Sequence, residues 1–379
     1  MSQTLQTRLY PLPNFGSSTV LQSQNFRENV TRPWDPTENL TGRIDHKISN
    51  NDSIYGRISY EQGYNRVYED NLPTIGQRYQ ERKDAAASAS YTHIFTPSLI
   101  NEFRWGFALN KNPFWGPVNG LQQTQQLGLQ GLAPNLPSLP GMFAVNWSGL
   151  GLQPLSEVTY NNPGYRSHLE EFQDHISWFR GRHVLKFGFD LTMVQFNNTT
   201  SDPSLFGNVT FDNRFTSGGI TGQGNAYADF LLGIPTTLSR AFPPVETDER
   251  RWMYDFFALD EFKVNTKLTL TYGVRYELHT PWHQKSSLLS MFDIGAGKIV
   301  VPDAALSEVS SLMPAGYVGV VSASSVGLPQ SLISTNTHDF ARALVWRTGP
   351  GAQPPFSALD GASTTTSRRK VPMSPAFRL

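Results

Sequence analysis

The side chains best able to do chemistry fall between positions 168 and 175. His168, Glu170, Glu171, Asp174 and His175 offer five metal-ligand or acid–base groups in eight residues. A metal site needs such ligands to converge on one point. In an extended segment, the period of two puts His168, Glu170 and Asp174 on one face and Glu171 and His175 on the other. Polar side chains on two sides of a strand are therefore favoured over a metal centre. Gly295-Ala296-Gly297-Lys298 hints at a phosphate loop. The first glycine of that pattern falls on Phe292 and the hydroxyl after the lysine on Ile299, so the phosphate reading fails. Gly-x-Ser-x-Gly and His-Glu-x-x-His are missing, which removes the standard hydrolase signatures. Phe103, Trp105 and Phe107 could stack sugars or bases, but their spacing within one strand favours contact with lipid or a core. Asp202, Asp212, Asn213 and Asn225 sit in loops and could meet a ligand, though none stands out. No catalytic constellation emerges, so the expectation is no enzyme, no cofactor and no metal.

Composition narrows the classes further. The 379 residues carry no net charge, which gives no electrostatic case for nucleic acid. Charged residues are 16% and aromatics 12% of the chain, so much of its surface must face something drier than water: a large core, or lipid. The lack of cysteine excludes a disulfide framework and thiolate metal sites, and fits the cytosol as well as the periplasm or outer membrane. No run of about 18 apolar residues is present, so no transmembrane helix is expected. Barrel strands escape that test because they alternate lipid-facing and lumen-facing residues. Met-Ser-Gln-Thr-Leu-Gln-Thr-Arg lacks an apolar signal region and a cleavage site, so a barrel would need its signal peptide upstream.

The elements that must position these side chains are strands. Leu40–Ser49 alternates, with Leu40, Gly42, Ile44, His46 and Ile48 against Thr41, Arg43, Asp45 and Lys47. Asn50-Asn51-Asp52-Ser53 reads as a tight turn, and a second strand runs from Ile54 to about Tyr64. Strands follow at 85–95 and 100–110 around a turn at 96–99, then at 168–179 and 183–196 around 180–182. A fourth hairpin spans 251–262 and 267–280 around 263–266. Leu185, Phe187 and Phe189 share a face in one strand, and Leu268, Leu270, Tyr272, Val274 and Tyr276 in another. Strict alternation over a dozen residues does not suit a helix. The four turns are short, whereas the connections at 65–84, 111–167 and 197–250 are long. In an up-and-down sheet all the short connections fall at one end, as in outer-membrane barrels. Strands of 10–14 residues also exceed the roughly 5–6 usual in soluble sheets. The fold class is thus all-β, an antiparallel up-and-down transmembrane β-barrel of which about 8–10 strands are present. A soluble all-β glycan-binding or structural module is the alternative, because period alone does not separate the two. Ala226–Ile234 reads as a short helix or an apolar segment, and Phe292–Val301 as a small loop hairpin. Beyond Asp339 the chain loses its period and reads as disordered.

Five strings carry a resemblance: LYPLPN (Leu9–Asn14), GRIDHKISNNDSIYGRISY (Gly42–Tyr60), GRHVLKFGFDL (Gly181–Leu191), YADFLLGIP (Tyr227–Pro235) and FFALDEFKVNTKLTLTYGVRYE (Phe256–Glu277). In this order the chain resembles TonB-dependent outer-membrane receptors, specifically the Oar-like barrels. The resemblance implies an outer-membrane location and a partial share of a 22-strand cylinder. It implies a role in energised uptake of large ligands such as metal chelates or glycans. The implied partners are outer-membrane lipid, the barrel-assembly machinery and, through a plug lacking here, the TonB system. It assigns residues 1–39 to the plug-to-barrel connection and first loop, 40–300 to the barrel, and 301–379 to a loop and a disordered or frame-shifted tail. Asp339–Arg347 begins like the family's next strand and then departs, which motivates the frame-shift reading. The lipid-facing set expected is Phe103, Trp105, Phe107, Leu185, Phe187, Phe189, Leu268, Leu270, Tyr272, Val274 and Tyr276.

Overall fold

The computed structural model describes residues 2–17, 25–28, 35–67, 78–115, 125–126, 143–149, 164–199, 207–239, 246–311, 313–314 and 316–348. Asp202, most of the 111–167 connection and residues 349–379 lie outside the described residues. The alternating segments are all strands. They are β1 (Thr37–Lys47), β2 (Asp52–Val67), β3 (Arg78–Thr96) and β4 (Leu99–Lys111), with a two-residue β5 (Phe114–Trp115) after it. Further along come β6 (Ala144–Trp147), β7 (Arg166–Arg180), β8 (His183–Thr199), β9 (Asn208–Phe211) and β10 (Thr237–Ser239). The last are β11 (Glu246–Lys263), β12 (Leu268–His279), β13 (His283–Gln284), β14 (Met291–Asp293), β15 (Lys298–Val301), β16 (Val320–Ser322) and β17 (Asp339–Thr348). Among the described residues, helices include α1 (Ser2–Leu9), α2 (Ala226–Leu232) and two short 3-10 helices, Asp303–Glu308 and Ser324–Val326.

Eleven strands form one antiparallel sheet; nine of them run in the order β1-β2-β3-β4-β7-β8-β11-β12-β17, and the short β5 and β13 pair with β3 and β11. Neighbours in space are thus neighbours in sequence among the long strands, the arrangement of a meander. The hairpin turns show why the chain reverses where it does. Gly181 takes φ 59°, open to glycine at no steric cost. Asn265 Oδ1 accepts from the amides of Lys267 and Leu268 at 2.8 and 2.9 Å, an Asx turn. Ser49 Oγ donates to Asp52 Oδ2 and accepts from the Asn51 amide.

The strands run longer than their apolar alternation. β2 reaches Val67 and β3 starts at Arg78, so both continue into the polar stretch that reads as loop from sequence. Their ends are joined by Tyr64 donating to Glu81 at 3.1 Å and by an Arg82–Glu61 ion pair. β17 pairs with β12 over Glu277↔Asp339 to Leu268↔Thr348. Residues 339–348 are therefore a strand, although their sequence shows no period. The 291–301 hairpin forms as β14–β15 and gains a third, parallel strand, β16, with Val300, Ala323 and Leu332 in its core.

The buried core of the described residues is not in the large sheet. It lies among the long connections. Leu5 and Leu9 of α1, Phe143 and Val145, Val209 and Phe211, and Ala226 and Phe230 of α2 form one cluster, flanked by Tyr10, Trp147 and Tyr227. The strands in it pair as β10-β9-β6. Asn225 caps α2, accepting from the amides of Tyr227 and Ala228, and Gly233 closes it in the left-handed region.

Candidate functional site

Register decides what the large sheet can do, because it fixes which faces agree across strands. One face gathers Phe103, Trp105, Phe107, Leu185, Phe187, Phe189, Leu268, Leu270, Tyr272, Val274 and Tyr276. The cross-strand pairs Phe187↔Ala258, Ala258↔Val274, Phe189↔Phe256 and Phe256↔Tyr276 tie β8, β11 and β12 together. Trp105↔Phe172 and Phe172↔Leu191 bring β4 to the same side through β7. All eleven residues of the expected lipid-facing set thus share one face. Ring centroids along it lie 4.8 Å apart for Phe189–Phe256 and 4.6 Å for Tyr276–Phe340. The face is open: Ile44 is 75%, Ile58 57% and Leu344 66% exposed.

The opposite face is polar, and one rung crosses all nine strands. It reads Asp45, Tyr55, Ser90, Arg104, Gln173, Asp190, Asp255, Glu277, Asp339. Four carboxylates therefore stand side by side on β8, β11, β12 and β17. Three of them, Asp190, Asp255 and Glu277, are met by basic side chains from the adjacent rungs. Arg275 Nε donates to Glu277 Oε1 at 2.6 Å and its Nη2 to Asp255 Oδ2 at 3.1 Å. His279 Nε2 lies 3.0 Å from Asp255 Oδ1, and His175 Nε2 lies 2.8 Å from Asp190 Oδ1. Asp255, Glu277 and His279 place ligand atoms within 4.8 Å of one another. The Arg275 guanidinium already bridges the two carboxylates, so the group is a hydrogen-bonded ion-pair network rather than a vacant ligand set. Gly188 makes room for it: a Cβ there would lie 2.1 Å from Phe257 Cε1 and 2.6 Å from His175 Cδ2.

The five-residue cluster that opened the sequence reading is split by the strand, as its period predicts. Glu170 accepts from Trp105 Nε1 at 3.2 Å and Asp174 from Asn101 Nδ2 at 2.5 Å on the apolar face. Glu171 accepts from Gln173 Nε2 on the other. The glycine-lysine turn at 295–298 offers no cradle, since Asp293 Oδ1 takes the amides of Gly295 and Ala296. Among the loop candidates, Asn225 is the α2 cap and Asp212 accepts from the Arg214 amide and the Thr236 hydroxyl. Asn213 accepts through its backbone oxygen from the Ser217 amide. These polar residues hold loop structure together. The Arg275 network escapes a reading by sequence because its members come from β7, β8, β11 and β12, and only register aligns them. The alternation of Arg275, Glu277 and His279 along β12 is the one local signal.

Residues 1–341 match the family described as the outer membrane beta barrel domain. The chain belongs to that family. It is accordingly a protein of the cell outer membrane. No curated protein matches the sequence. Among solved structures, the outer membrane transporter YddB from Escherichia coli is 8% identical, covers 65% of this chain and 27% of its own, and gives a TM-score of 0.37. FpvA of P. aeruginosa, in a complex with a heterologous pyoverdine and iron, is 11% identical over 66% of this chain and 32% of its own, at 0.37. The ferric-catecholate import receptor Fiu of E. coli K12 is 10% identical over 82% and 40%, at 0.38. This barrel chain thus spans well under half the length of these structures. In an outer-membrane barrel the polar rung has a natural place on the wet, lumen-facing side.

Proposed function

We propose that this chain forms part of the wall of a TonB-dependent receptor. The whole barrel would take up large scarce ligands, such as metal chelates or glycans, with energy delivered through TonB. One observation carries the reading. A nine-strand meander presents an open apolar face and a charged face, with short turns at one end and the long connections at the other. The five family-like strings support it, since four of them coincide with β1–β2, β8, α2 and β11–β12. We read the eleven apolar residues as lipid-facing and the Arg275 network as lumen wall. The barrel portion then runs on through β17, past residue 300. The barrel-assembly machinery would insert these strands, with the short turns periplasmic. A soluble glycan-binding sandwich is disfavoured, because its apolar face would be covered by a second layer.

Orientation gives the test, made clean by the absence of native cysteine. Asn50→Cys sits in a short turn and Asn213→Cys in the loop module. In intact cells an impermeant maleimide labels Asn213→Cys, and labels Asn50→Cys only after the outer membrane is permeabilised. Equal labelling of both in intact cells removes the proposal.

A further inference from the structure

At its long-connection end the apolar face meets a rung of like charges. Lys83, Lys111 and Arg166 stand directly opposite one another across β3, β4 and β7. Cross-strand neighbours of one sign destabilise a sheet, so the ladder itself gives no reason to align three cations. Lys83 Nζ reaches Glu81 Oε1 at 2.5 Å. Among the described residues Lys111 and Arg166 belong to no ion pair. The carboxylates of the same rung, Glu38 and Asp248, stand at its two ends. Asp248 already accepts from the Ser286 amide and hydroxyl. The three cations are therefore under-compensated, and they are open to the outside: Arg166 is exposed, and the Lys83 side chain is 38% exposed.

Their height puts them at a membrane surface. The β4–β7 ladder runs from Leu99↔Trp178 at the short-turn end to Lys111↔Arg166 at the other. That length of strand, about 41 Å tilted by about 35–45°, rises roughly 30 Å. An apolar band is about 25 Å tall, so the cations stand just beyond its outer edge. Inward from them the face turns apolar, through Leu109 and Phe107 on β4 and Tyr60 and Ile58 on β2. Beside them on β2 runs a chain of polar side chains. Tyr60 donates to Gln62 Oε1 and Gln62 to Tyr64 Oη, both at 2.9 Å, and Tyr64 donates to Glu81 at 3.1 Å.

Cations outermost, hydroxyl and amide groups beside them, and hydrocarbon contact inward follow the order of a lipid's headgroup and tails. Resting on the proposed orientation, with the apolar face to lipid and the long connections outside, we infer that this rung binds a phosphorylated glycolipid of the outer leaflet. A phosphate accepts from Lys111 and Arg166 and offsets the repulsion within the rung. The sugar hydroxyls meet Gln62 and Tyr64, and acyl chains run inward over Leu109, Phe107 and Ile58.

The test uses the full chain in detergent micelles and native mass spectrometry. The probes are diphosphoryl lipid A and the same lipid with its phosphates removed, added separately at equal concentration. The phosphorylated form is retained about tenfold more often, and Lys111→Gln with Arg166→Gln removes that preference. Lys47→Gln with Arg57→Gln takes the same charge from the polar face and leaves it within about twofold. Equal retention of the two lipids overturns the inference. So does an unchanged preference in the Lys111, Arg166 variant with its strand content intact by circular dichroism, or an equal loss in the polar-face variant. Excess inorganic phosphate leaves the lipid bound; complete displacement would mean a free-anion site instead and overturns the glycolipid. Brominated detergent separates the two levels of the argument. If it quenches tryptophan fluorescence and the phosphate preference is missing, only this inference falls. If it does not quench at all, the lipid-facing reading falls and this one with it.

Discussion

At the scale of single residues, the polar face is organised by a side chain that is missing. Gly188 sits beneath Phe257 and His175, and the imidazole leans across it to Asp190. Gly188→Val drives a branched side chain into both rings. The expected cost is about 1–3 kcal/mol, as for other overpacked sites, read as a lower urea midpoint in micelles. Gly56→Ala is the control, because a Cβ there meets nothing within 4 Å. It is expected to stay within about 0.5 kcal/mol of the parent. If the two variants unfold alike, the close approach at Gly188 is not what shapes the network. The period of two assigned His168, Glu170 and Asp174 to one side and Glu171 and His175 to the other, and this was legible because it needs only local geometry. The partner of each was not. Asp190 for His175 and Asn101 for Asp174 come from other strands, and no spacing within one segment points to them.

At the scale of elements, the long connections fold into a module with its own core, and Tyr10 reports on it. The Tyr10 ring meets Trp147 edge-on with centroids 5.7 Å apart. Burial, and secondarily the nearby Tyr227 hydroxyl, push the Tyr10 phenol well above its ordinary pKa. The neutral phenol is thus favoured in the folded state. Its contribution is complete below the unfolded pKa of about 10 and is lost as pH rises from there towards the folded value. The α1–α2 packing is expected to loosen above about pH 10, and Tyr10→Phe to flatten that profile. Fluorescence of Trp147 against pH in a background lacking the other tryptophans makes the measurement. An identical alkaline transition in Tyr10→Phe removes Tyr10 as its cause. The hairpins were readable because turn chemistry and alternation coincide in each. α1, β6, β9 and β10 were not, since each is short and is stabilised by packing against the others rather than by its own pattern. β17 was signalled only by the family resemblance at Asp339–Arg347, not by alternation, because its ladder to β12 supplies what Asp339–Thr348 lacks in period.

At the scale of the molecule, two strands end the sheet with one neighbour each. Among the described residues β1 pairs only with β2 and β17 only with β12. Both expose a row of backbone donors and acceptors, and the apolar face beside them is open. Such an edge templates association unless another strand covers it. In buffer without detergent the full chain is expected to pellet as aggregate, and in micelles to remain dispersed. Analytical ultracentrifugation distinguishes the cases, and a stable monomer in plain buffer contradicts the membrane assignment. On the apolar face of β11, Asp260 lies near the short-turn end and Trp252 near the other. From Asp260 to Trp252 along β11 is eight residues, about 27 Å of strand, and tilting it by the usual 35–45° brings its height to roughly 20 Å. That is close to the height of an apolar band between two interfaces.

The sequence by itself determined the strand period, the positions of the four hairpin turns, and the short-and-long asymmetry of the connections. Those properties depend on residues close together in the chain, so composition and spacing express them directly. Only the tertiary structure decided that the eleven apolar residues share one face, that four carboxylates stand in one rung, and that Arg275 bridges two of them. Each of these depends on register between strands up to about eighty residues apart in sequence. A slip of one residue in any ladder turns a strand over and disperses all three.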